Sequence, residues 1–367
     1  MRTILIDARW MQSGGVGTWL KGILSAKEKI FPSQEFNCVC IISDRQNSSS
    51  LPPSCSFVRT KAKPFTLHDQ LMWIHYILAI SPTDIFCPHV SFPFFLPSNL
   101  RGWLCIHDHL MFTKRRKLVT TNSIFMRTCK AWILRFLLRR ILKNSQWSVI
   151  SPSHSAAFDI AEELSCAEPS VIMPAVLFPP EKKYTKFSKN ELSILSMVTS
   201  AVHKNASFLK KCIQSADRKF NFIVVGMKRL HPHAREYLQL EAEELELLWQ
   251  KSQIYFSVSD YEGFGLPVLE AALRGVSVLL PRIPVYEELY SDLQGFYFYT
   301  PNSVEDALEK LDIALKGMKP VQEQIRNKFS YETAVSAFHN WFKFNRCEEH
   351  TKGVQFISNV RNEKNTS

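Results

Sequence analysis

Glu262 and Glu270 stand seven residues apart in a run whose residue types carry chemistry: Ser259-Asp-Tyr-Glu-Gly-Phe-Gly-Leu-Pro-Val-Leu-Glu270-Ala-Ala-Leu-Arg-Gly275. An apolar strand pattern enters the run and an apolar helix pattern leaves it. Gly263 and Gly265 let the backbone approach a ligand and permit positive φ. Pro267 suits the first helical turn, where its missing N–H costs nothing. The N–H groups left over at that turn suit a phosphate. A carboxylate beside such a helix start accepts paired hydrogen bonds from ribose hydroxyls. A plain strand–loop–helix joint, with Glu270 only favouring the helix N-terminus, accounts for each feature singly but not for their coincidence.

Three other groups could take part. Ser13-Gly-Gly-Val-Gly17 reads as a glycine turn before a helix, with Gly15 and Gly17 leaving room for a ligand; taken alone the pattern is weak. His107 ends an apolar strand, where a parallel sheet would face it into a cleft. His203-Lys204-Asn205 follows another strand and offers positive charge. His107-x-His109 hints at a metal, but no third ligand stands near and there is no Asp-x-Asp, so no metal is expected. Of nine cysteines only Cys38 and Cys40 lie close together, inside a strand, which speaks against zinc and for reduced thiols.

The elements that must position these residues alternate. Strands are expected at Ile4–Ile6, Phe36–Ser43, Asp84–Cys87, Trp103–Ile106 and Trp147–Ser151, with helices over 18–30, 69–80, 125–142 and from a Ser153 cap through Leu164. A second set follows: strands at 191–197, 220–225, 254–258 and 276–280, and helices over 208–215, 245–251, 266–274, 304–315 and 331–342. This is an α/β pattern with parallel sheets covered on both faces. The 367 residues, 46% hydrophobic, suffice for two cores. The expected division is 1–175, a linker 176–190 with Pro179 and Pro180, a second domain 191–335, a helix 336–348 returning to the first domain, and a polar tail 349–367.

The run from Ser259 to Gly275 resembles the E-x7-E segment of retaining glycosyltransferase family 4, whose fold is GT-B: two Rossmann-like domains facing across a cleft. Further likenesses follow in order: the opening strand and glycine loop over Ile4–Leu20, Leu104-Cys-Ile-His-Asp108, Val149–Leu164, Val171–Pro174 and Leu195–Asn205. The resemblance implies that Glu262 and His107 lie near the donor sugar and that Glu270 binds the donor ribose. It implies that the backbone of Phe264, Gly265 and Leu266 holds sugar and diphosphate, and that Gly15 and Gly17 lie against the donor phosphates or the acceptor. The leaving nucleoside diphosphate gains negative charge, and Lys204 with the helix N-terminus stand in for a metal. Two departures stand out: His203 replaces an expected Arg, whose fork to phosphate it cannot reproduce, and Val198 replaces a glycine. A protonated His203 would restore part of the charge.

The implied activity is hexosyl transfer from a nucleotide sugar, GDP- or UDP-linked with mannose first, to a glycan acceptor on a lipid carrier, in surface polysaccharide or lipopolysaccharide synthesis. The alternative is a catalytically weak or inactive GT-B protein that binds a sugar nucleotide or a partner glycosyltransferase. No cofactor is expected. The formal charge is +11, and residues 1–180 hold 20 Lys and Arg against 11 Asp and Glu. Ten basic residues and no acidic one lie between Asp108 and Asp159, including Lys114-Arg115-Arg116-Lys117 and the arginines Arg135, Arg139 and Arg140 beside Trp132 and Phe136. Such a face suits an anionic membrane; with no recognisable reader module, nucleic acid is not expected. No apolar run reaches the roughly 18 residues of a spanning helix, and Met1–Asp7 reads as a strand, not a signal peptide. The expected location is the cytoplasm, with a peripheral place on the inner face of the cell membrane.

Overall fold

The computed structural model describes residues 1–12, 14–113, 124–176 and 192–347. The linker segment from Val176's successor onward, the Lys114–Lys117 cluster and the polar tail lie outside the described residues.

The first unit runs β1 (Arg2–Asp7), α1 (Gly14–Ser25), α2 (Lys27–Ile30), β2 (Phe36–Ser43), β3 (Ser56–Thr60), α3 (Leu67–Ile80), β4 (Asp84–Cys87), β5 (Arg101–Cys105), α4 (Ile124–Leu142), β6 (Trp147–Ser151), α5 (His154–Leu164) and β7 (Ser170–Val171). Its strands form one parallel sheet in the order β3-β2-β1-β4-β5-β6-β7. Both faces are covered, so the inner strands β1, β4 and β5 are almost wholly buried and mostly apolar. Along β1, Ile4 and Ile6 enter the core under α1 and α2, while Leu5 enters the core under α3, α4 and α5. The expected strands over Phe36–Ser43, Asp84–Cys87 and Trp147–Ser151 have these bounds.

The second unit runs β8 (Leu192–Met197), α6 (Ala206–Ser215), β9 (Phe220–Val225), β10 (Ala234–Tyr237), α7 (Ala242–Lys251), β11 (Ile254–Phe256), α8 (Leu266–Leu273), β12 (Ser277–Pro281), α9 (Pro284–Tyr290), β13 (Phe296–Tyr299), α10 (Val304–Lys316) and α11 (Gln322–Lys328). Its six strands are also parallel, in the order β10-β9-β8-β11-β12-β13. A last helix, α12 (Tyr331–Cys347), leaves this unit and packs Phe338, Trp341 and Phe342 into the first unit's core, against Trp19, Phe31 and Trp103.

The glycine run corrects the sequence reading. Gly14, Gly15 and Gly17 do not form a turn ahead of a helix; they are the first turn of α1 itself. Gly14 has φ +44°, and a Cβ at Gly17 would fall 2.5 Å from the Met11 carbonyl oxygen. The lack of side chains therefore lets the start of α1 press onto the preceding Ala8–Trp10 turn.

Candidate functional site

The loop between β11 and α8 carries the Glu262-to-Glu270 run. Gly265, at φ +86°, caps α8, and a Cβ there would fall 2.6 Å from Cε1 of Tyr286. The tight approach and the positive φ both require glycine at this position. Pro267 sits in the first turn, and no side chain caps the helix, so the amides at the head of α8 remain available to a ligand.

Lys204 ends a short 3-10 turn (Val202–Lys204), and its ammonium pairs with Glu262. Both side chains are largely buried. The turn is fixed to the loop by Asn205, a left-handed residue that caps α6 and donates through Nδ2 to Asp260 Oδ1 at 2.8 Å. The Asp260 amide donates to the His203 carbonyl at 2.7 Å. Lys204 is thus a positioned cation beside the loop. His203 is not its partner in charge: burial, then the neighbouring Lys204 ammonium, push its pKa below the ordinary value, with Glu262 opposing. Burial therefore works against the protonated His203 that the sequence suggested. Val198 points into the core with Phe208 and Val258.

Glu270 borders a cavity of about 290 Å³ that also touches Thr18 of the first unit and Trp249, Glu246 and Arg274 of the second. Arg274 donates to Glu246 Oε2 from Nε and Nη2, at 3.0 and 2.8 Å, and from Nη1 to the Glu270 carbonyl at 2.9 Å. Its guanidinium lies 5.5 Å from the Trp249 ring centroid. Burial raises the Glu270 pKa; Arg274 counters this, and Glu246 adds to it. A desolvated carboxylate beside an open cavity is a strong acceptor for hydroxyl donors.

The first unit closes over the loop. A Cβ at Gly263 would fall 2.0 Å from the His107 carbonyl oxygen, and one at Gly15 would fall 3.4 Å from Leu266 Cδ1. His107 stands just beyond β5 and its Nε2–H donates to the Pro88 carbonyl at 2.9 Å; burial lowers its pKa to about 4, so the ring is neutral. Gly17, by contrast, backs onto its own domain, at Met11. Phe264 is buried in the second unit's core, so from this residue only the backbone can serve a ligand. Asp108 lies within the field of Glu262, which raises its pKa after burial has, while Lys204 lowers it.

Four contacts across the cleft had no signal in the sequence reading, or only a partial one. Ser153 Oγ donates to the Gly263 carbonyl at 2.7 Å, while also accepting from Ala156 N as the cap of α5; the cap was legible, its second partner was not. Glu288, on α9, accepts from His154 N and Ser155 N at 2.8 and 2.7 Å. The Tyr261 hydroxyl lies 3.0 Å from His109 Nδ1. His109 therefore serves the domain contact, and among the described residues no group of three His, Cys, Asp or Glu could hold a metal ion.

Residues 179–331 match the family model described as "Glycosyl transferases group 1". The serotype-specific mannosyltransferase WbdA of Escherichia coli is 23% identical over 230 residues, 57% of this chain but 26% of its own length. The O-antigen chain mannosyltransferase RfbU of Salmonella typhimurium is 24% identical over 224 residues, 56% of this chain and 58% of its own. The chain thus spans about a quarter of one relative and over half of the other. Among solved structures, sucrose-phosphate synthase from Thermosynechococcus elongatus superposes with a TM-score of 0.65 at 13% identity, covering 94% of this chain and 97% of that one. Anabaena HepE, in complex with UDP-glucose, gives 0.64 at 14% identity, covering 94% and 100%. No described helix is long and apolar enough to cross a membrane. The two parallel-sheet domains and these neighbours establish the GT-B fold, and residues 179–331 are similar to the group 1 glycosyl transferases.

Proposed function

We propose that the protein is a retaining glycosyltransferase that moves a hexose from a nucleotide sugar to a glycan acceptor. The observation that carries this reading is the convergence at one loop. The open head of α8, the Lys204 ammonium and Glu262 meet there, beside the cavity that Glu270 borders, and the Gly15 and His107 backbone closes the other side. The nucleoside would lie in the cavity with its ribose on Glu270. The diphosphate would lie on the head of α8 near Lys204. As the glycosidic carbon–oxygen bond breaks, its electron pair goes to the diphosphate. Lys204 and the oriented amides stabilise that charge without a metal. Glu262 holds Lys204 in place and reaches toward the sugar. The neutral His107, its Nε2–H occupied by Pro88, shapes the sugar site rather than supplying charge.

Mannose is the first choice of sugar, supported by the two mannosyltransferase relatives, with GDP as carrier. UDP is the second choice, supported by the HepE complex. The acceptor is read as lipid-linked, in O-antigen-like polysaccharide synthesis, with the chain peripheral on the inner face of the membrane. Purified protein should hydrolyse or transfer from GDP-mannose or a UDP-hexose at a rate that excess EDTA leaves unchanged. A rate abolished by EDTA and restored by magnesium or manganese would overturn metal independence. No turnover with any nucleotide sugar, alongside retained nucleotide binding, would favour the catalytically inactive alternative. His203, which stands where an arginine was expected and whose protonation burial disfavours, is what keeps that second reading in play.

A further inference from the structure

The α3 helix is apolar on both sides. Met72, Trp73 and Ile77 enter the core, as one face of a covering helix should. Leu67, Leu71, Ile74 and Leu78, spaced i, i+4, i+7 and i+11, form a second stripe on the outer side, and all four are exposed, Leu78 by 75%. A helix apolar all round is normally buried all round. The α4 helix lies over the same sheet face, with Leu138 and Ile141 inward and Trp132, Ile133 and Phe136 outward; Trp132 is 64% exposed and its ring stacks near that of Phe136.

The two outer stripes are bridged. Gln70 on α3 donates to the Phe92 carbonyl and accepts from the Phe94 amide, at 3.2 and 2.9 Å. Gln146, beyond α4, donates to the carbonyls of Pro97 and Leu100. The loop so pinned presents Phe94 and Phe95, the latter 76% exposed, and shares a cavity of about 140 Å³ with Leu137 and Arg140 of α4. Single exposed apolar residues need no explanation; a pinned, contiguous surface of this kind marks an interaction site.

Its charge says what covers it. Between Lys61 and Phe158 the sequence has three acidic residues, Asp69, Asp84 and Asp108. Asp69 and Asp84 are fully buried, and Asp108 lies in the cleft beside Gly263. Lys61, Lys63, Lys130, Arg140 and Lys143 are all exposed. Among the described residues from 61 to 158, then, the exposed side chains include apolar ones, histidines and long basic ones but no outward carboxylate; the exposed Glu162 of α5 lies beyond that stretch. That is the make-up of a surface seated at an anionic lipid interface, with aromatic rings at headgroup depth and lysine and arginine stems reaching past them.

We propose that the outer face of α3, the Phe94–Phe95 loop and α4 inserts into an anionic lipid monolayer, and that burial of apolar side chains drives the binding while the basic residues select the headgroup charge. This differs from attraction by the α4 arginines. Arg135 donates to Glu163 and the Phe112 carbonyl, and Arg139 to the Leu164 carbonyl, so both pin α4 to its own domain. The inference deepens the reading of the acceptor as lipid-linked.

The test is sedimentation of the full chain with vesicles of equal parts phosphatidylglycerol and phosphatidylethanolamine, and with phosphatidylcholine alone. The wild type should sediment with the anionic vesicles. Part of that binding should survive roughly 0.5 M salt, where charges are screened within about 4 Å. Leu71→Ser with Ile74→Ser and Leu78→Ser, or separately Trp132→Ser with Phe136→Ser, should lower the partition coefficient roughly tenfold or more and remove the salt-resistant fraction. These positions are exposed, so nucleotide binding and donor hydrolysis should stay at the wild-type level, which shows that the fold and the transfer site are intact. Binding of the wild type that vanishes entirely with salt, or variants that bind as the wild type does, would overturn the proposal. So would a wild-type dimer in light scattering that the α3 variant converts to monomer, since the face would then belong to a second copy. Hydrolysis that fails while vesicles are still bound would strike the proposed function and leave this inference standing.

Discussion

Where an arginine fork would grip a phosphate, His203 offers a ring whose protonation burial disfavours, so on the proposed reading the cationic work at the diphosphate falls to Lys204 and the head of α8. On the nucleoside side Glu270 is the one carboxylate of the E-x7-E run that borders the cavity. Glu270→Ala should weaken nucleoside diphosphate binding by about 2–4 kcal/mol, the loss of two charge-assisted hydrogen bonds, with the thermal transition unchanged without ligand. Calorimetric titration decides it, and an unaltered affinity would remove Glu270 from the site. Two other imidazoles, just beyond the C-terminal ends of β4 and β5, report on stability. Burial lowers the pKa of His89 to about 3 and that of His107 to about 4. In the unfolded chain both would protonate near pH 6.5. As pH falls from about 6 to about 4 the unfolded state therefore binds protons that the folded state refuses, and stability drops by up to about 1.4 kcal/mol per pH unit for each ring. His89 stacks on Trp10 with ring centroids 4.1 Å apart, so His89→Phe keeps the ring contact and should flatten the decline by up to one such slope. Denaturant midpoints at a series of pH values test this; parallel declines in the two proteins would show that His89 takes up its proton in the folded state.

Elements buried on both faces were legible in the sequence, because unbroken apolar runs leave little choice of bounds: β2, β4, β6 and β9 follow their apolar segments residue for residue. Edge strands were not. In β3 most residues are exposed and in β10 none is buried, so Ser56–Thr60 and Ala234–Tyr237 carry no apolar run to announce them. The short helices α9 and α11 and the strand β13 were missed as well. The start of α1 was misread for a tertiary reason: glycine normally breaks a helix, but here Gly17 is pressed on Met11 and a Cβ at Gly22 would fall 1.7 Å from the Ala175 carbonyl oxygen. The strand–loop–helix joint from β11 to α8 was legible from local spacing, while its cover was not, since Glu288 lies 134 residues from His154. That cover is a charge on a helix head. The two oxygens of Glu288 take the first amides of the eleven-residue α5, where a negative charge is favoured. Glu288→Ala should cost the closed arrangement about 1–3 kcal/mol, allowing for partial exposure. Small-angle scattering should show a larger radius of gyration, and kcat/KM for transfer should fall while nucleoside diphosphate affinity changes little. Unchanged scattering together with unchanged turnover would mean that Glu288 does not hold the domains together.

At the scale of the whole molecule, the order of residues along the chain and the order of domains in space part company at a single crossing. Phe329 is packed in the second unit's core, and Tyr331, two residues on, packs against the first unit's core and donates its hydroxyl to the Gly22 carbonyl at 3.0 Å. From there α12 supplies a side of the first domain. Phe338 is fully buried against Trp19, Phe31 and Phe86, and Phe342 lies 4.3 Å from the Trp103 ring. Polar contacts repeat the pattern: Arg101 donates to the Asn345 carbonyl and Lys29 to Ser336. The apolar pattern of α12 was legible; the strand aromatics that hold it, Phe36, Phe86 and Trp103, are brought to it only by the fold. The first domain's core is therefore incomplete until the end of the chain is present, although every strand of its sheet is made first. Phe338→Ala should remove about 3–5 kcal/mol from the first domain, the cost of truncating a buried phenylalanine. The second domain should keep its stability and its nucleoside diphosphate affinity, because none of its own core residues touches Phe338. Scanning calorimetry with and without the nucleotide separates the two: the transition that moves down in the variant should be the one least raised by ligand. A variant in which the ligand-stabilised transition falls instead would show that α12 belongs energetically to the domain from which it departs.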